Sequence, residues 1–280
     1  MGFPAAYHAW MPKKFDLHSA LATGVLGRRS AWEFIRGFAA AWSSAPIRDG
    51  DGYDGSELAA AEERLGLRLP TALREAYALF GLREDLCGTM HRLQPLDRLS
   101  VSPPWNLLSY HVENQGAWAC GVRLADLHLD DPPVVHLPPC SCEGHSVHGV
   151  AWMERLSMDC IELVLTESFY NTYGTDCHLG IWGELRRDEV SLVDQMFRPL
   201  PFPSYPSDSS PCVPGSRWYA GDDLLVCLSP YMYGGELPPG ADRGWWHRPG
   251  SVADINIRAR TPEALEDARK RLPRVWFDWS

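Results

Sequence analysis

A chain of 280 residues can bury a substantial core, and an apolar share of 45% beside a charged share of 22% excludes disorder along its whole length. The formal net charge of −10 leaves no broad basic surface to track phosphates, which excludes nucleic acid as the expected partner. No apolar run approaches the roughly 18 residues of a spanning helix, and Lys13 and Lys14 follow the apolar start instead of preceding it, so neither a membrane span nor a secretory leader is expected. The expected location is cytoplasmic, where the eight cysteines stay reduced and read as small buried hydrophobes.

The first predicted element is the helix SAWEFIRGFAAAW, in which Trp32, Ile35, Phe38, Ala39 and Trp42 share one face and Ser30 with Glu33 has the form of a capping box. The turn formers of PIRDGDGYDG follow as an exposed loop and set off an N-terminal helical appendage, 1–55. From Ser56 onward, SELAAAEERLGLRLPTALREAYALFG predicts two amphipathic helices around an extended corner. Ser56 caps the first, Leu58, Ala61 and Leu65 form its apolar face, and Gly66 supplies a left-handed stop. Pro70 opens the second, which turns Leu73, Tyr77 and Phe80 inward and closes at Gly81.

Strand signals come next. HRLQPLDRLSV reads as a strand and a turn, and LLSYHVENQGAWACGVRLA as a hairpin with Tyr110, Val112, Trp118, Cys120 and Val122 in alternation; DDPPVVHLP gives a further short strand. In the turn ENQGAW, Asn114 and Gly116 are the residues expected to tolerate positive φ. A helix carrying Ile161, Leu165 and Phe169 then completes an α+β unit, 56–180, whose antiparallel or mixed sheet is flanked by helices. The stretch 181–216 reads as a connector, Pro-rich at its end, with a helix-like pattern in LRRDEVSLVDQMF. The remainder, 217–280, reads as a β-β-α extension: strands at RWYAGDDLLVCLSP and SVADINIRARTP, then a helix capped by Thr261 with Pro262 in its first turn and Pro273 as its stop.

The two-helix corner, the ENQGAWACGV hairpin and DPPVV before an apolar helix follow one another in an order that resembles the SUKH superfamily. The likeness is specifically to the Smi/Knr-type domain found in fungal cell-wall regulators and widely in bacterial toxin-immunity proteins. The resemblance covers 56–174, and its most specific residues are Glu62, Leu65, Leu69, Pro70, Leu73 and Tyr77. These are helix and corner residues, so they mark a fold and not a reaction. What the resemblance implies is a non-catalytic, SUKH-like α+β domain that binds other proteins, in many bacterial members a cognate toxin; the tail 217–276 looks like an extension that bacterial members often carry. FGLREDLCG stands where the family often has a glycine pair. Lysine supplies three of the 26 basic residues, as in a bacterial gene of high GC content.

Among chemical constellations, CSCEGHSVHG gathers Cys140, Cys142, His145 and His148, the ligand types zinc prefers. All four crowd one loop, whereas a zinc finger separates its ligand pairs by a folded segment, and the plainer reading is a polar loop between strand and helix. With Glu143 or Glu154 as base, a zinc-dependent hydrolase is the alternative chemistry. No nucleophile elbow, Walker loop or dinucleotide-binding motif occurs. The acid pairs Asp130–Asp131 and Asp222–Asp223 read as turn residues, whose side chains bond the local backbone.

The expected function is a non-catalytic protein-binding module, an immunity protein that neutralises a cognate polymorphic toxin by binding it. An intracellular regulatory scaffold of the cell-wall-regulator type is the alternative from the same resemblance. The residues expected at the interface are Glu113, Asn114, Gln115 and Trp118 of the hairpin, with Trp245 and Trp246 of the loop RGWWHRPG as aromatic anchors. The expected partner is a protein, with no nucleic acid and no membrane. No catalytic residue, no cofactor and no metal is expected.

Overall fold

The computed structural model describes residues 15–103, 105–137, 149–170, 180–203, 205, 216–230 and 251–277. The chain is α+β, with two antiparallel sheets and helices flanking them. Among the described residues no helix is long and apolar enough to cross a membrane.

Helices α1 (Leu17–Gly24) and α2 (Arg28–Trp42) come first. The predicted Ser30–Glu33 box does not cap α2, because the helix starts three residues earlier, with Gly27 at the N-cap and Arg28 reaching Glu75 at 3.2 Å. Helix α3 (Gly55–Leu65) is capped by Asp54 and not by Ser56: Asp54 and Glu57 form the reciprocal box, and the Ser56 hydroxyl donates to Asp54 at 2.6 Å. Gly66 then takes φ 66°, the left-handed stop its sequence position predicts. Helices α4 (Thr71–Phe80) and α5 (Glu84–Cys87) follow, with Pro70 at the N-cap of α4.

The corner between α3 and α4 is organised around Glu62. Its carboxylate is buried, accepts the Leu69 N–H at 2.9 Å and meets Arg74 at 2.6 Å, so one side chain pins the extended corner to both helices. Leu73, Tyr77 and Phe80 are fully buried beneath it.

The first sheet contains β1 (His91–Leu93), β2 (Ser100–Ser102), β3 (Leu107–Glu113), β4 (Ala119–Arg123), β5 (Val134–Leu137) and β6 (Val150–Met153). Its order is β1-β3-β4-β5-β6, and β2 joins β3 beyond the end of β1. Helix α6 (Leu156–Tyr170) covers it. The second sheet has the order β7-β11-β10-β9-β8, built from β7 (Gly180–Arg186), β8 (Arg198–Pro199), β9 (Arg217–Gly221), β10 (Leu224–Pro230) and β11 (Ser251–Ala259). Helices α7 (Arg187–Met196) and α8 (Pro262–Arg271) lie on its far face.

Three expectations change here. Residues 180–196, most of them expected in a connector, form β7 and α7; β7 gains its place by pairing with β11, a tertiary partner its glycine-split pattern does not announce. RWYAGDDLLVCLSP is a hairpin, not one strand, with Asp222 and Asp223 at the turn and Asp223 at φ 54°. Finally, α2 packs against α4 and α6, so Phe34, Ile35, Phe38 and Trp42, expected in an appendage, sit in the same core as Leu73, Tyr77 and Ile161.

Helix α6 is the hub of this core. Every one of its residues except Thr166 and Tyr170 is buried, as a helix covered on all sides requires. One side meets the first sheet. Another meets Trp218 of the second sheet, whose ring stacks on Phe169. Arg258, on the same face of the second sheet, is buried and donates to the carbonyls of Trp42 and Ser168, at the C-terminal ends of α2 and α6.

Candidate functional site

The first sheet carries an irregularity that decides its chemistry. Strand β3 pairs with β4 through Ser109–Gly121, and the next pair is His111–Cys120, so Tyr110 is an extra residue. A slip of one residue turns the following side chains to the other face. Tyr110 and His111 therefore both reach α6 and are both fully buried, while Val112, predicted to face inward, is only half-buried. Cys120 is the Cα partner of His111 on one side and of His136 on the other. His111, Cys120 and His136 thus stand abreast on three strands, all at 0% exposure.

Asp159 of α6 closes over this row. Its Oδ2 accepts the Tyr110 hydroxyl at 2.7 Å and faces His111 Nδ1 at 3.1 Å; its Oδ1 accepts the Trp152 indole N–H at 2.7 Å. The Trp118 ring stands edge-on to His91 and His111, with centroids 4.9 and 5.0 Å away, and His136 stacks on Trp152 at 4.9 Å. Glu167, further along α6, accepts the backbone N–H groups of Thr89, Met90 and His91 and fastens the entry to β1.

Electrostatically the three histidines differ. Burial, with the neighbouring His111 adding to it, holds His91 well below its ordinary value and lowers His136 to about 4. Burial also opposes charge on His111, but the Asp159 carboxylate and its hydrogen bond outweigh it and raise the value. Of the three, His111 is the one whose surroundings favour the protonated form. Among the described residues, His111, Cys120 and Asp159 each offer one metal-ligating atom within 4.8 Å of the other two.

The hairpin tip lies just beyond this interior. Glu113 Oε2 accepts the N–H groups of Gln115 and Ala117 at 2.8 and 3.0 Å, and the Glu113 carbonyl accepts that of Gly116 at 2.9 Å. Asn114 N–H donates to the Met90 carbonyl at 2.8 Å. Gly116 takes φ 75°, but Asn114 does not share the left-handed conformation expected of it: its backbone is held by Met90, and the non-glycine positive-φ positions among the described residues are Asn106 and Asp223. Asn114, Gln115, Gly116 and Ala117 are exposed and Glu113 is half-buried.

Trp118, expected at the interface, is 7% exposed and is a wall of the histidine row instead. It follows the turn on the inward face of β4, where its ring fills the space between three histidines. Trp245 and Trp246, and the zinc-like set Cys140, Cys142, His145 and His148, lie outside the described residues. A separate groove of about 770 Å³ runs between α1, the β9–β10 turn and α8; Asp16, Asp222 and Asp223 face Arg198 and Arg271 around Trp42 and Phe197, a mixed lining with one acid in excess.

Sequence reasoning missed the row because strict alternation turned His111 outward. The signal it left is polar residues inside otherwise apolar runs, His136 in VVHL and Asp159 in LSMDCIELVL. Comparison of the chain with family models, with curated proteins and with solved structures finds no match.

Proposed function

We propose that the chain is a non-catalytic protein-binding module, an immunity protein that covers the active surface of a cognate toxin domain. The observation that carries this reading is the hairpin tip. Its four exposed residues, 114–117, are held by hydrogen bonds to Glu113 and Met90 above the buried Trp118, so little conformational freedom is lost when a partner docks. The titratable row beneath is buried, with the rings of Trp118 and Trp152 packed on it. The resemblance to SUKH domains, carried by the corner around Glu62 and this same hairpin, supports the reading. So does the net charge of −10, which would steer a basic partner toward the surface.

The test is binding to toxin domains encoded beside the gene, by calorimetry, and protection of cells that express them. The double change Asn114→Ala with Gln115→Arg is expected to weaken binding at least about tenfold, or roughly 1.4 kcal/mol, with no change in melting temperature. A protein that neither binds nor protects against any neighbouring toxin sinks the proposal. Binding unaltered by the double change removes the tip from it.

A further inference from the structure

Three buried ring nitrogens of the row have no hydrogen-bond partner among the described residues: Nε2 of His111 and both nitrogens of His136. Buried polar atoms in folded proteins are almost always paired with protein, water or an ion, because each unpaired one costs on the order of 1–3 kcal/mol. Here the unpaired atoms are strong metal donors. They stand in one row with a thiol and face a carboxylate.

We propose that His111, Cys120 and Asp159 form an interior binding site for a zinc-class divalent cation, with His136 packed beside it. A thiol, an imidazole and a carboxylate are the three ligand types that zinc accepts, and here one atom of each lies within 4.8 Å of the others. His136, the cross-strand neighbour of Cys120, stands beside the set on the same face. Asp159 Oδ2 and His111 Nδ1 already stand 3.1 Å apart, so a bound ion takes the place of the proton between them.

Charge favours the same assignment. A dication with one thiolate and one carboxylate sums to zero, the state that buried ground tolerates best. Binding releases the thiol proton of Cys120 and the proton shared by His111 and Asp159. His111, Cys120 and Asp159 are fully buried behind Trp118, Trp152 and Tyr110, as suits a structural ion that ties β3 and β4 to α6. The site is independent of what the hairpin tip binds.

The experiment refolds the full chain with excess Co²⁺ or Zn²⁺, removes free metal by gel filtration and counts bound ion per chain. One equivalent is expected, with a thiolate-to-cobalt charge-transfer band that disappears in Cys120→Ala. Zinc affinity should fall at least about tenfold in His111→Gln. A variant with Cys140, Cys142, His145 and His148 all replaced must keep both ion and band. Absence of stoichiometric metal, persistence of the band in Cys120→Ala, or its loss in the fourfold variant overturns the site. X-ray absorption at the zinc edge of the unmutated protein decides even where a variant fails to fold: a single sulfur at about 2.3 Å is expected, and two sulfurs or none refute the assignment.

Discussion

Replacing Asp159 by asparagine keeps the shape of the side chain and removes its charge, which isolates what the carboxylate does. Asp159 accepts from Trp152 on one oxygen and from Tyr110 and His111 on the other. The remaining amide oxygen can serve Trp152, but the NH₂ group then meets two groups that both need an acceptor. His111 can change tautomer and accept at Nδ1, which leaves a proton on Nε2, an atom with no partner among the described residues. The Tyr110 hydroxyl keeps an unpaired proton. Two charge-assisted bonds at roughly 1.5–3 kcal/mol each are lost, and neutral bonds of about 1 kcal/mol are partly regained, so the net loss is roughly 2–4 kcal/mol. That is a large part of an ordinary stability of about 5–15 kcal/mol. The assay is urea unfolding at neutral pH with chelator present, so that bound metal does not contribute; at an m-value near ~3 kcal/mol/M the midpoint falls by about 1 M. Tyr110→Phe supplies the control: it should destabilise the normal protein by about 1 kcal/mol and cost almost nothing beside Asp159→Asn. A loss under ~1 kcal/mol for Asp159→Asn, or full additivity of the two changes, refutes the network as drawn.

Two further outcomes are expected. Glu62→Ala should lower stability by roughly 2–3 kcal/mol, because it orphans the Leu69 N–H and the Arg74 guanidinium, whereas Arg68→Ala should leave the urea midpoint unmoved, since Arg68 meets Glu62 from a side chain 89% exposed. In the metal-free protein, unfolded His136 takes up a proton below its ordinary value of 6.5 while the folded form resists to about 4, so stability falls across that window by roughly 3 kcal/mol. His91 acts in the same sense; His111 acts oppositely, its contribution being present below 6.5 and lost as pH rises through its raised folded value. The measurement is unfolding free energy between pH 4 and 7.5, and a profile that His136→Gln fails to flatten would count against a neutral buried His136.

How far the fold was legible depended on whether each signal was local. Gly66 as a left-handed stop, Thr261 as a helix cap and the turn acids Asp222 and Asp223 are set by near neighbours, and the structure has them where the sequence predicts. The caps of α2 and α3 were displaced by three and two residues because several capping residue types crowd both starts. Strand β7 and the inward turn of His111 were not legible, since each depends on a distant partner: β11 for one, the register of β4 and the acceptor Asp159 for the other. The hairpin was found and its contents were misjudged. An extra residue in a strand is invisible to a period-two pattern.

The same reasoning explains why the polar chemistry of this protein lies inside it. The predicted row Ile161, Leu165 and Phe169 describes one buried side of α6, and that side leads to the second sheet, where Phe169 meets Trp218. A helix with only that apolar side would turn its opposite side to water and carry ordinary charges there. Here the other sides are also covered, so the acids of the helix must find partners within the fold. Asp159 is bonded to β3 and β6. Glu162 is bonded by the Tyr205 hydroxyl, which also accepts from Trp218. Glu167 holds the entry to β1. Because α-helical residues advance by about 100° each, a rotation by a single residue would unpair all three carboxylates at once. The acids therefore fix the rotation of α6 between two sheets that hydrophobic burial alone would accept at several angles. A boundary drawn at 180 would divide that shared core, since α6 on one side of it and β9 and β10 on the other bury the same side chains.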